Sequence, residues 1–248
     1  MGECARKHRN AQARLLKELT ENESLPYELV VSKLGISSAT IRSLEKSGAI
    51  RVEISRTYRN PVRIEGVGNK ELKLSGAQLD IINDYRKALE ANTPVRYLIH
   101  GITGSGKTNV YIKLIEETVS AGGSAIVLIP EIALTYQTLI RFYARFGDRV
   151  SVLNSSLSAG EKYDQCERAK NGEIDIIIGP RSALFTPFRN LKLIIIDEEH
   201  ETSYKSETTP KYHARETAIE LARLAGASVV LGSATPSVDA YYKAKSGE

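Results

Sequence analysis

Gly101-Ile102-Thr103-Gly104-Ser105-Gly106-Lys107-Thr108 decides the fold of this 248-residue chain, because it fills the pattern G-x-x-x-x-G-K-[ST] at every fixed position. Its flanks have the form the pattern requires. Val95-Arg96-Tyr97-Leu98-Ile99-His100 reads as a strand, and Val110, Tyr111, Leu114, Ile115 and Val119 then recur at helical spacing until Gly122-Gly123. A loop between a strand and a helix points successive backbone N–H groups at a phosphate chain, on the positive end of the helix. Gly101, Thr103, Gly104, Ser105 and Gly106 are expected to cradle the phosphates of ATP. Lys107 is expected to reach the β- and γ-phosphates, and the Thr108 hydroxyl to ligate Mg²⁺.

Such a loop needs an acidic partner, and Leu193-Ile194-Ile195-Ile196-Asp197-Glu198-Glu199-His200 supplies one at the end of a buried strand. Asp197 is expected to hold Mg²⁺ directly or through water, and Glu198 to orient and deprotonate the attacking water. Lys107, Asp197 and Glu198 form the expected catalytic set. A further strand, Val229-Val230-Leu231, ends in Gly232-Ser233-Ala234-Thr235-Pro236-Ser237. There the Ser233 and Thr235 hydroxyls can bond the carboxylate cluster and sense the γ-phosphate, with His200 as the link.

From residue 76 onward, apolar β-branched runs at 95–100, 124–129, 174–178, 191–196 and 228–231 alternate with amphipathic helical stretches. Near-continuous apolar strands are buried on both faces, so the prediction is an α/β P-loop NTPase lobe over 76–248, a parallel sheet covered by helices. Residues 1–65 read differently, as a winged helix. A helix over Ala11–Glu21 is followed by one opened by Pro26, with Leu29, Val30 and Leu34 on its stripe and Gly35 as its stop. Ser37 caps a third helix through Ile41, Leu44 and Lys46, ended by Gly48. Strands at Ile50–Ile54 and Val62–Ile64 complete the pattern, and a linker at 66–75 follows, centred on Gly66-Val67-Gly68-Asn69. In the usual docking mode Thr40 and Arg42 on the third helix face DNA. A winged helix that docks protein is the alternative.

Charge agrees with a polyanion partner for the front module. Residues 1–70 hold 13 Lys/Arg against 8 Asp/Glu, whereas the whole chain has 34 against 30. Cys4 and Cys166 stand alone, which speaks against a disulfide framework or a zinc site and makes the cytoplasm the expected compartment. No apolar run reaches the ~20 residues of a membrane span, so no membrane role is expected.

Taken in order, these motifs make the chain resemble superfamily 2 helicases, and most of all the bacterial replication-restart family of primosomal protein N′. Matching blocks are His100–Thr108, Val127–Thr135, Ile178–Phe185, Asp197–Lys205, Tyr212–Arg215 and Gly232–Ser237. The R-S-A-L-F of Arg181–Phe185 and the Y-H-A-R of Tyr212–Arg215 are specific to that family, whereas the P-loop and DExH motifs are widely shared. The resemblance implies a RecA-like helicase lobe that contacts adenine through Gln78. It also implies single-strand contacts at Pro130, Glu131, Thr135, Arg181 and Ser182. Ser203-Tyr204-Lys205 looks like the aromatic-rich loop that couples DNA to hydrolysis, with Tyr204 placed to stack on a base.

Leu153-Asn154-Ser155-Ser156 departs from the family's L-H-S-G, Pro180 replaces a common Thr, and Tyr136 a common Pro. The resemblance further implies ATP-driven 3′→5′ movement on single-stranded and forked DNA, opening forks for primosome assembly. It implies single-strand-binding protein and primosome loaders as partners. A second lobe with arginine fingers and a cysteine-rich zinc region are expected outside this chain, which then reads as a fragment unlikely to unwind DNA alone. Another superfamily 2 translocase is the nearest alternative. A non-enzymatic winged-helix regulator with a nucleotide-gated P-loop domain is the more distant one, and the Asp197-Glu198 pair argues against it.

Overall fold

The computed structural model describes residues 2–21, 25, 30–31, 34–52 and 74–247. The chain divides into two compact units, Met1–Thr57 and Tyr58–Glu248. In the first, α1 (Gly2–Glu21) and α2 (Ser38–Lys46) are joined by a small core of Leu15, Val30, Ile36, Ile41 and Leu44. Ser37 caps α2 as its residue type predicts, its hydroxyl accepting from the Thr40 N–H. Most of the helix expected from Pro26 lies outside the described residues, as do the second wing strand at Val62–Ile64 and the linker at 66–73. Ile50–Val52 are described without a strand.

The second unit is built on a six-stranded sheet, all of whose pairs are parallel. Its strands are β1 (Arg96–His100), β2 (Ser124–Leu128), β3 (Val150–Val152), β4 (Ile176–Gly179), β5 (Leu191–Ile196) and β6 (Ser228–Ser233). They lie in the order β1-β6-β5-β2-β4-β3. The helices are α3 (Gly76–Glu90), α4 (Lys107–Ser120), α5 (Tyr136–Phe146), α6 (Ala159–Asn171), α7 (Ala214–Ala225) and α8 (Val238–Ser246).

Because successive strand residues point to opposite faces, the apolar runs feed two cores at once. Ala125, Val127, Leu193 and Ile195 meet α3, α4 and α5 through Ile82, Tyr85, Leu114 and Phe142. Ile126, Leu128, Ile194 and Ile196 meet α6 and α7 through Ala169, Ala214, Ala218 and Ala222. The small residues of α7 let it lie close on the sheet. Five strands fall where the apolar runs predict them, and β3 does not. At three residues it is too short to show a period, yet Val150 and Val152 are fully buried beside β4.

Candidate functional site

The carboxyl ends of β1, β6 and β5 meet at one crevice. Strand register sets His100 opposite Ser233 and Ile196 opposite Leu231. Backbone bonds extend the pairing beyond the sheet: Gly101 N–H donates to the Ser233 carbonyl at 3.1 Å, and Glu199 N–H to the Gly232 carbonyl at 3.0 Å. Ligands of open parallel sheets bind at this edge. A cleft of about 370 Å³ opens there, lined by Thr103, Gly104, Gly106, Lys107, Thr108, Asn109, Arg141, Asp197 and Glu198. That volume suits a small organic ligand.

Within the loop, Gly104 and Gly106 take φ of 82° and 88°, a region open to glycine without strain. Gly106 begins α4 with no side-chain cap, so the first N–H groups of the helix are left for an anion. Lys107 is 8% exposed. Its Nζ donates to the Gly101 carbonyl at 2.8 Å and stands 3.7 Å from Glu198 Oε1. Gln78 sits against this loop, donating from Nε2 to the Ser105 carbonyl and accepting from the Ser75 N–H, both at 2.9 Å. A Cβ at Gly106 would come within 2.9 Å of that Nε2, which is how closely the glutamine covers the loop.

Burial raises the Asp197 carboxyl above the ordinary carboxylate range; the Tyr111 hydroxyl and Lys107 oppose that, and Glu198 adds to it. Among the described residues, Oδ1 takes both of its hydrogen bonds, from Tyr111 Oη at 2.9 Å and the Glu198 N–H at 3.1 Å. Oδ2 is thereby left for a cation. No group of three or more His, Cys, Asp or Glu forms a metal cage among the described residues. A carboxylate oxygen and the Thr108 hydroxyl, both in the cleft beside a phosphate cradle, form a donor set that fits Mg²⁺. Glu198 is held at φ 47°, a left-handed conformation few non-glycine residues adopt. His200 joins the cluster from the next turn: its Nδ1 lies 2.7 Å from Ser233 Oγ, its Nε2 3.4 Å from Thr235 Oγ1, and the ring 3.8 Å from Glu198 Oε2.

Three expected contacts, those of Tyr204, Pro130 and Thr40, need correction, because each of these residues is buried. Tyr204 is 1% exposed, because its hydroxyl reaches under the Asp197 turn to the Leu128 and Asp197 carbonyls at 3.0 and 2.6 Å; it has no face for a base. Phe185, 57% exposed and edge-on to Tyr212, is the open aromatic of that region. Arg181 spends one terminal nitrogen on the Ser203 and Lys205 carbonyls, both at 2.8 Å, and so holds the Tyr204 loop. Pro130 is buried and its carbonyl closes a 3₁₀ turn. Thr40, 2% exposed, bonds Ser37 inside the first unit, so it cannot face DNA. Arg42, Thr135 and Ser182 are exposed, Thr135 also capping α5. Glu131 accepts the Ser155 N–H at 2.7 Å, and the Ser155 hydroxyl first, then that N–H, keep its carboxyl below the usual range.

The motifs alone do not reveal Tyr111 or Arg141, and they mark Gly232 without showing which neighbour it makes room for. Tyr111 counts as one more apolar residue in a helical stripe, although its spacing of four from Lys107 puts both on one helix face. Arg141 follows no motif. One turn later Arg145 pairs with Glu116, whereas Arg141 lines the cleft and has no ion pair among the described residues.

The profile of the DEAD/DEAH box helicase family matches residues 78–243. The replication restart protein PriA of Bacillus subtilis (strain 168) is 43% identical over 228 residues, 92% of this chain and 28% of that protein. The PriA of Chlamydia pneumoniae is 41% identical over 241 residues, 96% of this chain and 32% of that protein. The chain thus spans about a third of the length of these relatives. A solved structure of RecG bound to a three-way DNA junction superposes with a TM-score of 0.53 at 22% identity, over 98% of this chain and 28% of that one. That likeness is one of fold, the RecA-like helicase fold. With the motifs gathered at one crevice and the family profile running from Gln78 into α8, the chain belongs to the DEAD/DEAH box helicases and has the replication restart proteins PriA among its relatives.

Proposed function

We propose that this chain is the ATP-binding front lobe of a replication-restart DNA helicase. The observation that carries the reading is the convergence of Lys107, Thr108, Asp197 and Glu198 on one cleft at the sheet's carboxyl edge. Lys107 and Arg141 supply the cations that offset triphosphate charge, and the open first turn of α4 supplies N–H donors. Thr108 and Asp197 Oδ2 would hold Mg²⁺, which would supply positive charge to offset that of the phosphates. Glu198, aimed by its left-handed backbone, orients water and takes its proton. His200, Ser233 and Thr235 form a hydrogen-bonded bridge that passes the state of this site to β6 and the helix beyond it.

The whole protein, in this reading, moves 3′→5′ on single-stranded DNA and opens forked DNA for primosome assembly, with single-strand-binding protein and primosome loaders as partners. A second lobe contributes arginine fingers, worth ~10³–10⁵ in rate in related NTPases, and a zinc region lies in the same half. DNA contacts fall on the exposed Thr135, Ser182, Phe185 and Arg42. The test is a titration of a fluorescent ATP analogue with Mg²⁺ into this chain, with and without single-stranded DNA. Saturable binding with turnover far below that of a complete helicase is expected. Absence of saturable binding overturns the reading, and rapid DNA-stimulated turnover overturns the need for a second lobe.

A further inference from the structure

We propose that Tyr111 is the positioning residue of the metal-binding carboxylate, aiming Asp197 Oδ2 into the cleft, and that Gly232 is a glycine in order to make room for it. The proposal rests on the reading of Asp197 as the Mg²⁺ ligand.

Tyr111 lies on α4 one turn beyond Lys107, so a single helix face carries both. Lys107 turns up to the loop, and Tyr111 runs beneath it into the core, 1% exposed. A phenol so buried requires a partner for its O–H, and the partner found is Asp197 Oδ1 at 2.9 Å. The same oxygen accepts the Glu198 N–H at 3.1 Å. From the other side Tyr204 Oη holds the Asp197 carbonyl at 2.6 Å. The carboxylate is therefore fixed at its backbone and at one oxygen, and only Oδ2 faces the cleft.

Gly232 completes the arrangement from β6. Its φ is not positive, so the backbone does not demand glycine. Space does: a Cβ there would overlap the Tyr111 hydroxyl and lie 3.4 Å from Asp197 Oδ1. Three elements, α4, β5 and β6, thus interlock on one carboxylate.

The experiment measures Mn²⁺ affinity by electron paramagnetic resonance of the full chain saturated with ADP, beside ADP affinity in EDTA and the thermal midpoint. Tyr111→Phe keeps the ring in the core and loses the hydroxyl. It is expected to weaken Mn²⁺ roughly tenfold, the weight of a hydrogen bond to a charged group, with metal-free ADP affinity unchanged. Gly232→Ala is expected to weaken Mn²⁺ at least as much by displacing the phenol. In the Tyr111→Phe background the same alanine should add less than it does alone, because the overlapping oxygen is gone and only the ring carbon, 2.8 Å from the new Cβ, must still give way. Asp197→Asn is the control. If Asp197→Asn loses Mn²⁺ while Tyr111→Phe binds it as the wild type does, the positioning role is refuted and the Asp197 assignment stands. If Asp197→Asn also retains Mn²⁺, the assignment falls and the proposal with it.

Discussion

Glu198 sits at φ 47°, a conformation that costs an ordinary L-residue about 1 kcal/mol and asparagine much less. The prediction is that Glu198→Asn unfolds with a stability about 1 kcal/mol higher than Glu198→Gln. Both variants lose the charge, so urea unfolding of the pair isolates the backbone strain. Equal stabilities would show that the turn relaxes around any side chain. A second residue-scale prediction concerns Arg141. Arg141→Ala should weaken ATP several-fold, ADP less, and adenosine not at all, measured by competition against a fluorescent nucleotide. The convergence of Lys107 and Asp197 on one cleft is legible in the amino-acid order, because motif spacing places each beyond the end of a strand. Burial is not legible there, which is why the motifs point Tyr204 and Thr40 toward DNA. A tyrosine between Ser203 and Lys205, or a threonine on a short helix, looks the same in sequence whether it faces solvent or an acceptor within the protein.

At the scale of elements, the turn after β5 is fastened to two helices through Glu199, whose side chain is wholly buried. Arg215 at the start of α7 donates to it at 2.9 Å, and Ser237, the cap of α8, donates from its N–H at 2.6 Å and its hydroxyl at 3.1 Å. Arg215→Met should therefore destabilise the unit by about 3 kcal/mol, since it leaves a buried carboxylate without its cation. A smaller loss of a few tenths, by urea unfolding, would mean that Ser237 alone satisfies it. The cap of α7 is His213, whose Nδ1 accepts the Arg215 N–H at 3.3 Å, a bond that only the unprotonated nitrogen can accept. Burial first, then the Arg215 cation, hold its pKa below the usual histidine value. The native state then binds fewer protons than the unfolded chain, so stability is full above about pH 6.5 and declines as pH falls below it. His213→Ser, an equally good cap that does not titrate, should flatten that decline between pH 7 and pH 5.5. The Y-H-A-R block marks these residues through resemblance alone. Its physics, a titratable cap beside a buried pair, needs the contact of α7 with the turn.

For the whole molecule, the two units have separate cores, one around Leu15 and Ile41, the other around the sheet. Residues 58–248 alone should keep the nucleotide affinity of the full chain, by fluorescence titration; a large loss would show that the first unit supports the site. The doubly buried apolar strands make the sheet legible. The order of its strands is not, because nothing in Arg96–His100 says which neighbour it will find. That neighbour is β6: among the described strands β1 pairs with β6 and no other, and Val95 N–H donates to Ser228 Oγ across 133 residues. During synthesis at 5–20 residues per second, the strand that leads into the phosphate loop waits on the order of ten seconds for its partner. A nascent chain stalled before Ser228 carries the full phosphate-binding sequence with no sheet edge to seat it.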